Sequence, residues 1–531
     1  MTTQKTTVAV IGLGSAGLAA LKNLTEEGFE VTGFERNSYV GGLWQYTEED
    51  KTSVLETTTV NISKERGCFT DFPFPQDVSS FPTGAQVATY LTTYCEHFNL
   101  QPRIRLNTTI RRFTYDDDRQ KWVVGLEGES EEFFDKVVIA IGGVTSLPNL
   151  PLIEGTEKFG GVSVHSRAFK RPGNFKGKRV MVVGFGNTAV DTATQLAGVA
   201  EKVYLAHRHG AHVLPHLVNG RPIDHTHTLR LFSIQNFIIG YFPKLGSIIF
   251  AKLLKDFQEK CFTIRPEWGF EPAQASPVVS DNLVPCLEKG TIDSVKGIRR
   301  ILSETQVELE DGRKVDVDAI IWCTGYKSDF SMLEPRFDPT THSTPTWSTA
   351  SGSNGKSLAR LYHNIFSLEK PDSLAFLGNV QIPLGGFQVF DMASMAIAQV
   401  WKGATSLPSL SVMNQAVGEH HAWLADCAQR STNVSPGMVN PGSWIHAMDE
   451  MAGTGVNEYL GYGWKGWSFW FQERKFCGLL MDGIWSPHIH RVFQGKRKLW
   501  NGASDAIKEV NESATATKDK QMPFKDKKKQ I

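Results

Sequence analysis

Arg179-Val180-Met181-Val182-Val183-Gly184-Phe185-Gly186-Asn187-Thr188-Ala189 is the stretch from which the rest of the chain can be read. Its first half is a run of apolar, mostly β-branched residues, short enough for a buried parallel strand. A glycine turn follows at once, and then a helix that Asn187 and Thr188 open. In such a turn the first glycine, Gly184, permits the tight bend, and the second, Gly186, lets main-chain N–H groups approach a pyrophosphate. Ala189 keeps the helix close to the strand. A second strand, Val203-Tyr204-Leu205-Ala206, ends in His207-Arg208. At that position an NAD or FAD site places an acid to hold the ribose hydroxyls, whereas basic residues, Arg208 above all, suit a 2′-phosphate.

The same signal occurs at the N-terminus. Thr7-Val8-Ala9-Val10-Ile11 reads as a strand, Gly12-Leu13-Gly14-Ser15-Ala16-Gly17 is a full G-x-G-x-x-G, and residues 18–27 read as a helix closed by Gly28. The next strand, 29–34, ends in Glu35-Arg36, which puts an acid about twenty residues after the glycines, in reach of ribose hydroxyls. A lone G-x-G-x-x-G is weak, because glycine turns also serve ordinary strand-to-helix connections. The flanking strand, helix and acid make it specific, and Glu35 favours FAD or NAD here.

Composition narrows the class. A chain of 531 residues, 41% hydrophobic and 21% charged, predicts two to four domains with large cores. A formal net charge of +0 gives no bulk field for nucleic acid or an anionic surface. The seven cysteines are scattered without C-x-x-C spacing, so neither a disulfide framework nor a dithiol redox centre is expected, and a reducing compartment fits. The start of the chain leaves no room for a signal peptide. Residues 229–254 are the longest apolar stretch, but Arg230, Gln235, Asn236, Pro243 and Lys244 interrupt it. It falls short of a transmembrane span and predicts two amphipathic helices broken at Pro243, with a face suited to peripheral membrane contact. His207, His209, His212, His216, His225 and His227 invite a metal, but Pro215 and Arg208 sit among them and no cysteine joins them. A phosphate-binding loop with exposed histidines is expected instead, and no metal.

Further motifs carry a resemblance. Val40-Gly41-Gly42-Leu43-Trp44 is followed by Asn61-Ile62-Ser63-Lys64-Glu65 and Asp71-Phe72-Pro73-Phe74-Pro75. Phe159-Gly160-Gly161-Val162-Ser163-Val164-His165-Ser166-Arg167-Ala168-Phe169 fits F-x-G-x-x-x-H-x-x-x-[W/Y/F], and Arg208-His209-Gly210-Ala211 fits a basic R-x-G-A segment. Later come Trp322-Cys323-Thr324-Gly325-Tyr326, in place of F-A-T-G-Y, and Gly378-Asn379-Val380-Gln381-Ile382-Pro383-Leu384, with Ile382 as an extra residue. In this order they resemble the flavin-containing monooxygenase family, dimethylaniline-monooxygenase-like and of a fungal type. The aromatic run Gly461-Tyr462-Gly463-Trp464 with Ser468-Phe469-Trp470-Phe471 extends the match close to the end and reads as core. The chain ends in a lysine-rich tail, Lys528-Lys529-Gln530-Ile531, where animal members often carry a membrane anchor.

The resemblance implies an α/β fold of two Rossmann-like domains, with the NADPH-binding domain inserted in the FAD-binding domain. The FAD domain would take 1–160 and 326–445, and the NADPH domain 161–325 with a helical insertion about 215–275. An aromatic-rich extension would take 446–512 and a polar, disordered tail 513–531. FAD would be held by Gly12, Gly14, Ser15, Ala16, Gly17, Glu35, Arg36, Gly42, Leu43 and Trp44, with Gln381 at the flavin; NADPH by Gly184, Gly186, Asn187, Thr188 and Arg208; Asn61 and Thr324 would also bind cofactor. NADPH would reduce the flavin, dioxygen would add to form a hydroperoxyflavin, and Asn61 would be the catalytic residue, donating to the peroxide and orienting NADP. A soft nucleophile, an amine nitrogen or a sulfide, would take one oxygen atom. The enzyme would be cytoplasmic, with an endoplasmic-reticulum association and a homodimer left open. Rival readings are Baeyer–Villiger oxygenation of ketones, an NADPH oxidase or reductase, and a catalytically silent dinucleotide-binding regulator.

Overall fold

The computed structural model describes residues 5–519 except 129, 143–145, 271–275 and 343, with only the backbone described at 243 and 515–519. Gly143, the end of the expected 215–275 insertion and the lysine-rich ending from residue 520 lie outside the described residues.

The apolar runs become the central strands of two parallel sheets. In chain order the first unit begins with β1 (Thr7–Ile11), α1 (Ser15–Glu26), β2 (Glu30–Phe34), α2 (Gly84–His97), β3 (Ile104–Arg105) and β4 (Lys136–Ile139). The second unit holds β5 (Val162–His165), β6 (Arg179–Val183), α3 (Asn187–Leu196), β7 (Lys202–His207), α4 (Leu229–Tyr241), α5 (Pro243–Cys261), β8 (Ile292–Lys296) and β9 (Ala319–Trp322). The first unit then resumes with β10 (Leu361–Tyr362), β11 (Phe366–Ser367), β12 (Leu374–Phe376), α6 (Gly386–Trp401) and α7 (Pro441–Ala452). Its sheet runs β10-β11-β12-β4-β1-β2-β3, parallel from β12 to β3. The inserted sheet runs β8-β7-β6-β9-β5, parallel throughout. The two passages between units lie side by side, Leu147–Pro148 pairing antiparallel with Tyr326–Lys327.

Local chemistry sets the element ends. The helix expected over 18–27 already starts at Ser15, since the glycine turn feeds straight into it. Helix α2 starts at Gly84, because Thr83 and Gln86 form a reciprocal capping box. Helix α6 is buried along almost its whole length and packs on α1 and α7, which closes the first core.

Two expectations meet a different arrangement, at the C-terminal boundaries and at the aromatic run. The boundary expected between 445 and 446 falls inside α7, and the one between 512 and 513 falls inside α10 (Ala503–Asp519) once α8 (Trp464–Gln472) and α9 (Arg474–Asp482) have passed. The aromatic run read as core is largely at the surface: Tyr462 is 94%, Trp464 85% and Phe471 74% exposed, while Phe469 alone of that helix edge packs on Tyr459 and Phe493. A short helix has one inward edge; Trp470 is half-buried under Arg474, and the other rings stay exposed. Helices α4 and α5 do break at Pro243, but of α4 only Phe232 is buried, and Phe237, Tyr241, Phe242, Leu245, Ile248 and Leu253 stand more than half exposed. No helix among the described residues is long and apolar enough to cross a membrane.

Candidate functional site

The first glycine turn is built by close approach. Gly12 has φ +85° and donates its N–H to Phe34 O at 2.8 Å; a Cβ there would lie 2.8 Å from Ala140 O. A Cβ on Gly17 would lie 1.8 Å from Gly12 O, so only glycine lets α1 sit this close to the turn. Gly14 differs, since a Cβ there would meet only Gly42 Cα at 3.7 Å. No side chain caps α1, which leaves its first N–H groups available to an anion. Ala16 is buried and Ser15 half-buried behind them. Glu35, 5% exposed, accepts from Leu13 N at 2.9 Å through Oε2 and from Asn37 N and Nδ2 at 2.9 Å through Oε1. Its carboxylate is thereby fixed at the end of β2, while Arg36 stands exposed beside it.

Gly41, at φ +103°, donates to Leu13 O at 2.8 Å and bridges Gly14, so the Gly41-Gly42-Leu43-Trp44 turn rests on the first glycine turn. Trp44 meets Phe387 edge-on at 6.2 Å. Phe387 lies just inside α6, and a Cβ on the preceding Gly385 would lie 2.7 Å from Arg66 O. Three segments thus converge: the Gly41–Trp44 turn, the start of α6, and the 61–67 loop that contains half-buried Asn61. A groove of about 650 Å³ also opens beside Trp44, between Leu55 and the outer face of α2 at Thr89, Thr92 and Glu96. Neither dinucleotide glycine turn nor Asn61 lines it, and Trp44 is the residue it shares with the expected FAD cradle.

The second turn repeats the construction. Gly184 has φ +126° and a Cβ there would lie 2.5 Å from Cys323 O, whereas a Cβ on Gly186 would meet nothing within 4 Å. Gly186 caps α3 without a side-chain bond, Thr188 is exposed, and Asn187 Oδ1 accepts from Val279 N at 3.1 Å. At the end of β7, His207 is buried between Phe185 and Phe270. Ser294 Oγ donates to Trp268 O at 2.7 Å, so His207 Nε2–H donates to Ser294 Oγ, also at 2.7 Å. Burial, aided by Lys296, pushes its pKa down to about 4. The positive charge at this strand end therefore rests on Arg208, whose side chain is 58% exposed and 3.5 Å from Glu310.

The expectation of exposed histidines is corrected at this point. His207 and His212 are buried, and His209, His216, His225 and His227 are each partly covered. Phe185 and Phe270 cover His207, while His216 meets Phe81, His225 meets Glu65 and His227 meets Trp485. Among the described residues, no group of three or more His, Cys, Asp or Glu is placed to hold a metal ion. His165 sits at the crossing between units: its Nδ1 accepts from Arg167 N at 3.1 Å, so Nε2–H donates to Gly325 O at 2.9 Å. Thr324 Oγ1 donates to Asn149 O at 2.5 Å in the same crossing. Gln381 stands exposed and is fixed through its main chain, N to Gly437 O at 2.7 Å. Asp191, one turn into α3, escaped sequence reading; burial raises its carboxyl to about 6, against His216. Asp224 and Arg66 escaped it too, because each is defined by a partner in the other unit.

Two glycine turns, one ending in a fixed acid and the other in a single exposed cation, on two parallel sheets with one inserted in the other, define a two-dinucleotide flavoprotein oxidoreductase. The chain belongs to the flavin-binding monooxygenase-like family, which it matches over residues 5–519. It is accordingly a flavin-dependent monooxygenase that uses FAD and NADPH, and acts on a small molecule with dioxygen. The monooxygenase aurF of Gibberella zeae is 46% identical over 514 residues, covering 95% of this chain and 97% of that one. Flavin-containing monooxygenase 5 of Oryctolagus cuniculus is 32% identical over 526 residues, covering 95% and 92%. Among solved structures, S-allyl-L-cysteine S-oxygenase from Allium sativum superposes with TM-score 0.62 at 20% identity, covering 97% and 99%. Closed cyclohexanone monooxygenase superposes with TM-score 0.60 at 18% identity, covering 85% and 98%. These two share the fold.

Proposed function

We propose that the enzyme oxygenates a soft nucleophile, an amine nitrogen or a sulfide sulfur, and that Asn61 is its catalytic residue. The observation that carries this is the 61–67 loop, wedged between the start of α6 in one unit and residues 223–227 of the other. A half-buried amide on a loop that touches both units is suited to reach a group bound between them. Bound FAD, reduced by NADPH, supplies the oxygen activation.

The cradle around each turn fits the assignment of groups. Gly12, Gly14, Ser15, Ala16 and Gly17 would receive the FAD pyrophosphate, with Glu35 and Arg36 toward the adenosine and Gly42, Leu43, Trp44, Thr324 and Gln381 along the flavin side. Gly184, Gly186, Asn187 and Thr188 would receive the NADPH pyrophosphate, with Arg208 on the 2′-phosphate. Of these, Thr324 has committed its hydroxyl proton to Asn149 and Gln381 its main-chain N–H to Gly437, so each has fewer contacts left to offer. The exposed apolar residues of α4, α5 and α8 support a peripheral membrane contact by a cytoplasmic enzyme, at the endoplasmic reticulum, with a homodimer as the other occupant of that face.

The test is stoichiometry. Purified enzyme with FAD is given NADPH and, in separate reactions, a tertiary aniline, a thioether and a cyclic ketone. One oxygenated product per NADPH with the first two supports the proposal. Product with the ketone alone would establish Baeyer–Villiger chemistry, and NADPH consumption with hydrogen peroxide alone would establish an oxidase.

A further inference from the structure

The loop that carries Asn61 is tied to its own unit along one edge. Val60 N donates to Pro82 O at 3.0 Å, Lys64 N to Ser80 O at 2.7 Å, and Lys64 Nζ reaches the carbonyls of Pro75, Gln76 and Val78. Its other edge is held across the gap between units by two neighbouring residues, Asp224 and His225. Ser63 N donates to Asp224 Oδ2 at 2.8 Å, and Arg66 Nη1 donates to the main-chain carbonyl of Asp224 at 2.8 Å. The neighbouring His225 Nε2 lies 3.2 Å from Glu65 Oε2. Asp224 belongs to the short turn Ile223–Thr226 of the inserted unit, more than 150 residues along the chain from the loop.

The contact is polar and partly buried, which makes it demanding. Ser63 is fully buried and Arg66 is 7% exposed, its guanidinium lying over Trp485 at 5.6 Å. Asp224 Oδ1 is buried and accepts no hydrogen bond from any described residue. Covering that oxygen without a donor carries a desolvation cost, which the half-buried Asp224 bears while its other oxygen holds Ser63 N. Only the paired passages Leu147–Pro148 and Tyr326–Lys327 join the units covalently at this sheet crossing. The two Asp224 bonds, with His225 on Glu65 beside them, tie the 61–67 loop to the inserted unit.

We propose that Asp224 is a positioning residue that holds Asn61 in register with the inserted nucleotide unit, so that oxygen transfer stays coupled to NADPH consumption. This rests on the assignment of Asn61 given above. If the register is lost, NADPH, a proton and dioxygen yield NADP and hydrogen peroxide, and no oxygen reaches substrate. The role is one of placement, since the carboxylate touches the loop and not the reacting atoms.

The experiment compares Asp224→Ala with Asp224→Asn in the full-length enzyme with FAD, NADPH and thioanisole. Asp224→Asn keeps an oxygen able to accept from Ser63 N and should retain the wild-type ratio of sulfoxide to NADPH within about two-fold. Asp224→Ala should lower that ratio about ten-fold, hydrogen peroxide making up the balance, while the KM for NADPH changes less than about two-fold. If Asp224→Ala does not fold, Asp224→Ser, too short to span the contact, takes its place. A second readout needs no turnover: hydrogen–deuterium exchange of residues 60–67 in the flavin-free protein should speed up in the alanine variant and not in the asparagine variant. An unchanged product ratio in Asp224→Ala, or equal losses in both variants, overturns the proposal. If the wild type makes no sulfoxide, the assigned function has failed, and unchanged exchange in Asp224→Ala would overturn the latch separately.

Discussion

Arg491 Nη2 donates to Asn23 Oδ1 at 2.6 Å, joining the C-terminal 3₁₀ turn Pro487–Arg491 to the first dinucleotide helix. The arginine is 1% exposed and also meets Glu26 at 3.0 Å, Asp71 at 3.4 Å and Thr70 Oγ1 at 3.1 Å. Lys22 pairs with Asp71 from the other side. Burial alone would raise the Asp71 carboxyl, but Arg491 and Lys22 hold it below its usual range. Removing the arginine leaves buried acids short of a partner. Arg491→Ala should therefore cost about 3–5 kcal/mol of stability and release flavin with it. A denaturation midpoint equal to wild type would show that the network relaxes without cost.

The glycines of the two turns separate folding from binding. Gly17→Ala should fail to fold or fail to retain FAD, because its methyl would overlap Gly12 O. Gly186→Ala has open space and an ordinary φ of −86°. It should match the wild-type melting temperature and still bind NADPH more weakly, read by fluorescence titration. A Gly186→Ala protein with unaltered NADPH affinity would place the pyrophosphate elsewhere.

Arg208 is the exposed cation at the end of β7, since His207 is neutral there. Arg208→Ala should weaken NADPH relative to NADH by about 10- to 100-fold, roughly 1.5–3 kcal/mol for one charged hydrogen bond. An unchanged preference between the two nucleotides would remove the arginine from the 2′-phosphate.

Acid sensitivity follows from His488. It is fully buried; its Nδ1–H donates to Thr70 O at 3.0 Å, and Nε2 faces Cys68 Sγ at 3.7 Å. Burial lowers its pKa from 6.5 to about 4. Between these values the unfolded chain binds the extra proton, so this contribution is complete above pH about 6.5 and is lost as pH falls toward 4, by about 1.4 kcal/mol per unit. Urea unfolding at steps from pH 7 to 5 reads the slope, and His488→Asn, which does not titrate, should flatten it. Equal slopes would assign the acid loss to other groups.

The uncovered apolar face is tested with lipid. Wild-type protein should co-sediment with phospholipid vesicles, and Trp464→Ser with Phe471→Ser should stay in the supernatant with unchanged NADPH oxidation. A wild type that stays in the supernatant as a dimer, which the substitutions dissociate, would assign the face to a second copy.

Both dinucleotide turns were legible in the sequence because everything that specifies them is local: a β-branched run, glycines at fixed spacing, and the residue that closes the next strand. The helix break at Pro243 is local in the same way. The burial of His207 and His212 was not, since it depends on Phe270 and Gln258 arriving from elsewhere. The aromatic run at 462–471 misled for the opposite reason: rings usually mark a core, and nothing in the run says whether a partner will cover it. Asp224 and Arg491 had no signal at all, because each acts across more than 150 residues of chain on a loop or helix with its own local pattern.

The register of Leu374 on Val137, and of Phe376 on Ile139, has a consequence for the order of assembly. While the polypeptide is being synthesised, β4 waits with an open edge until the whole inserted unit has been made. That unit contains all the strands of its own sheet and can fold first, drawing the two halves of its host together. Until Leu374–Phe376 arrives, the waiting edge is a bare template for strand addition by any neighbouring chain. Fragments that stop short of residue 374 should therefore collect in aggregates, whatever the health of the nucleotide unit they carry.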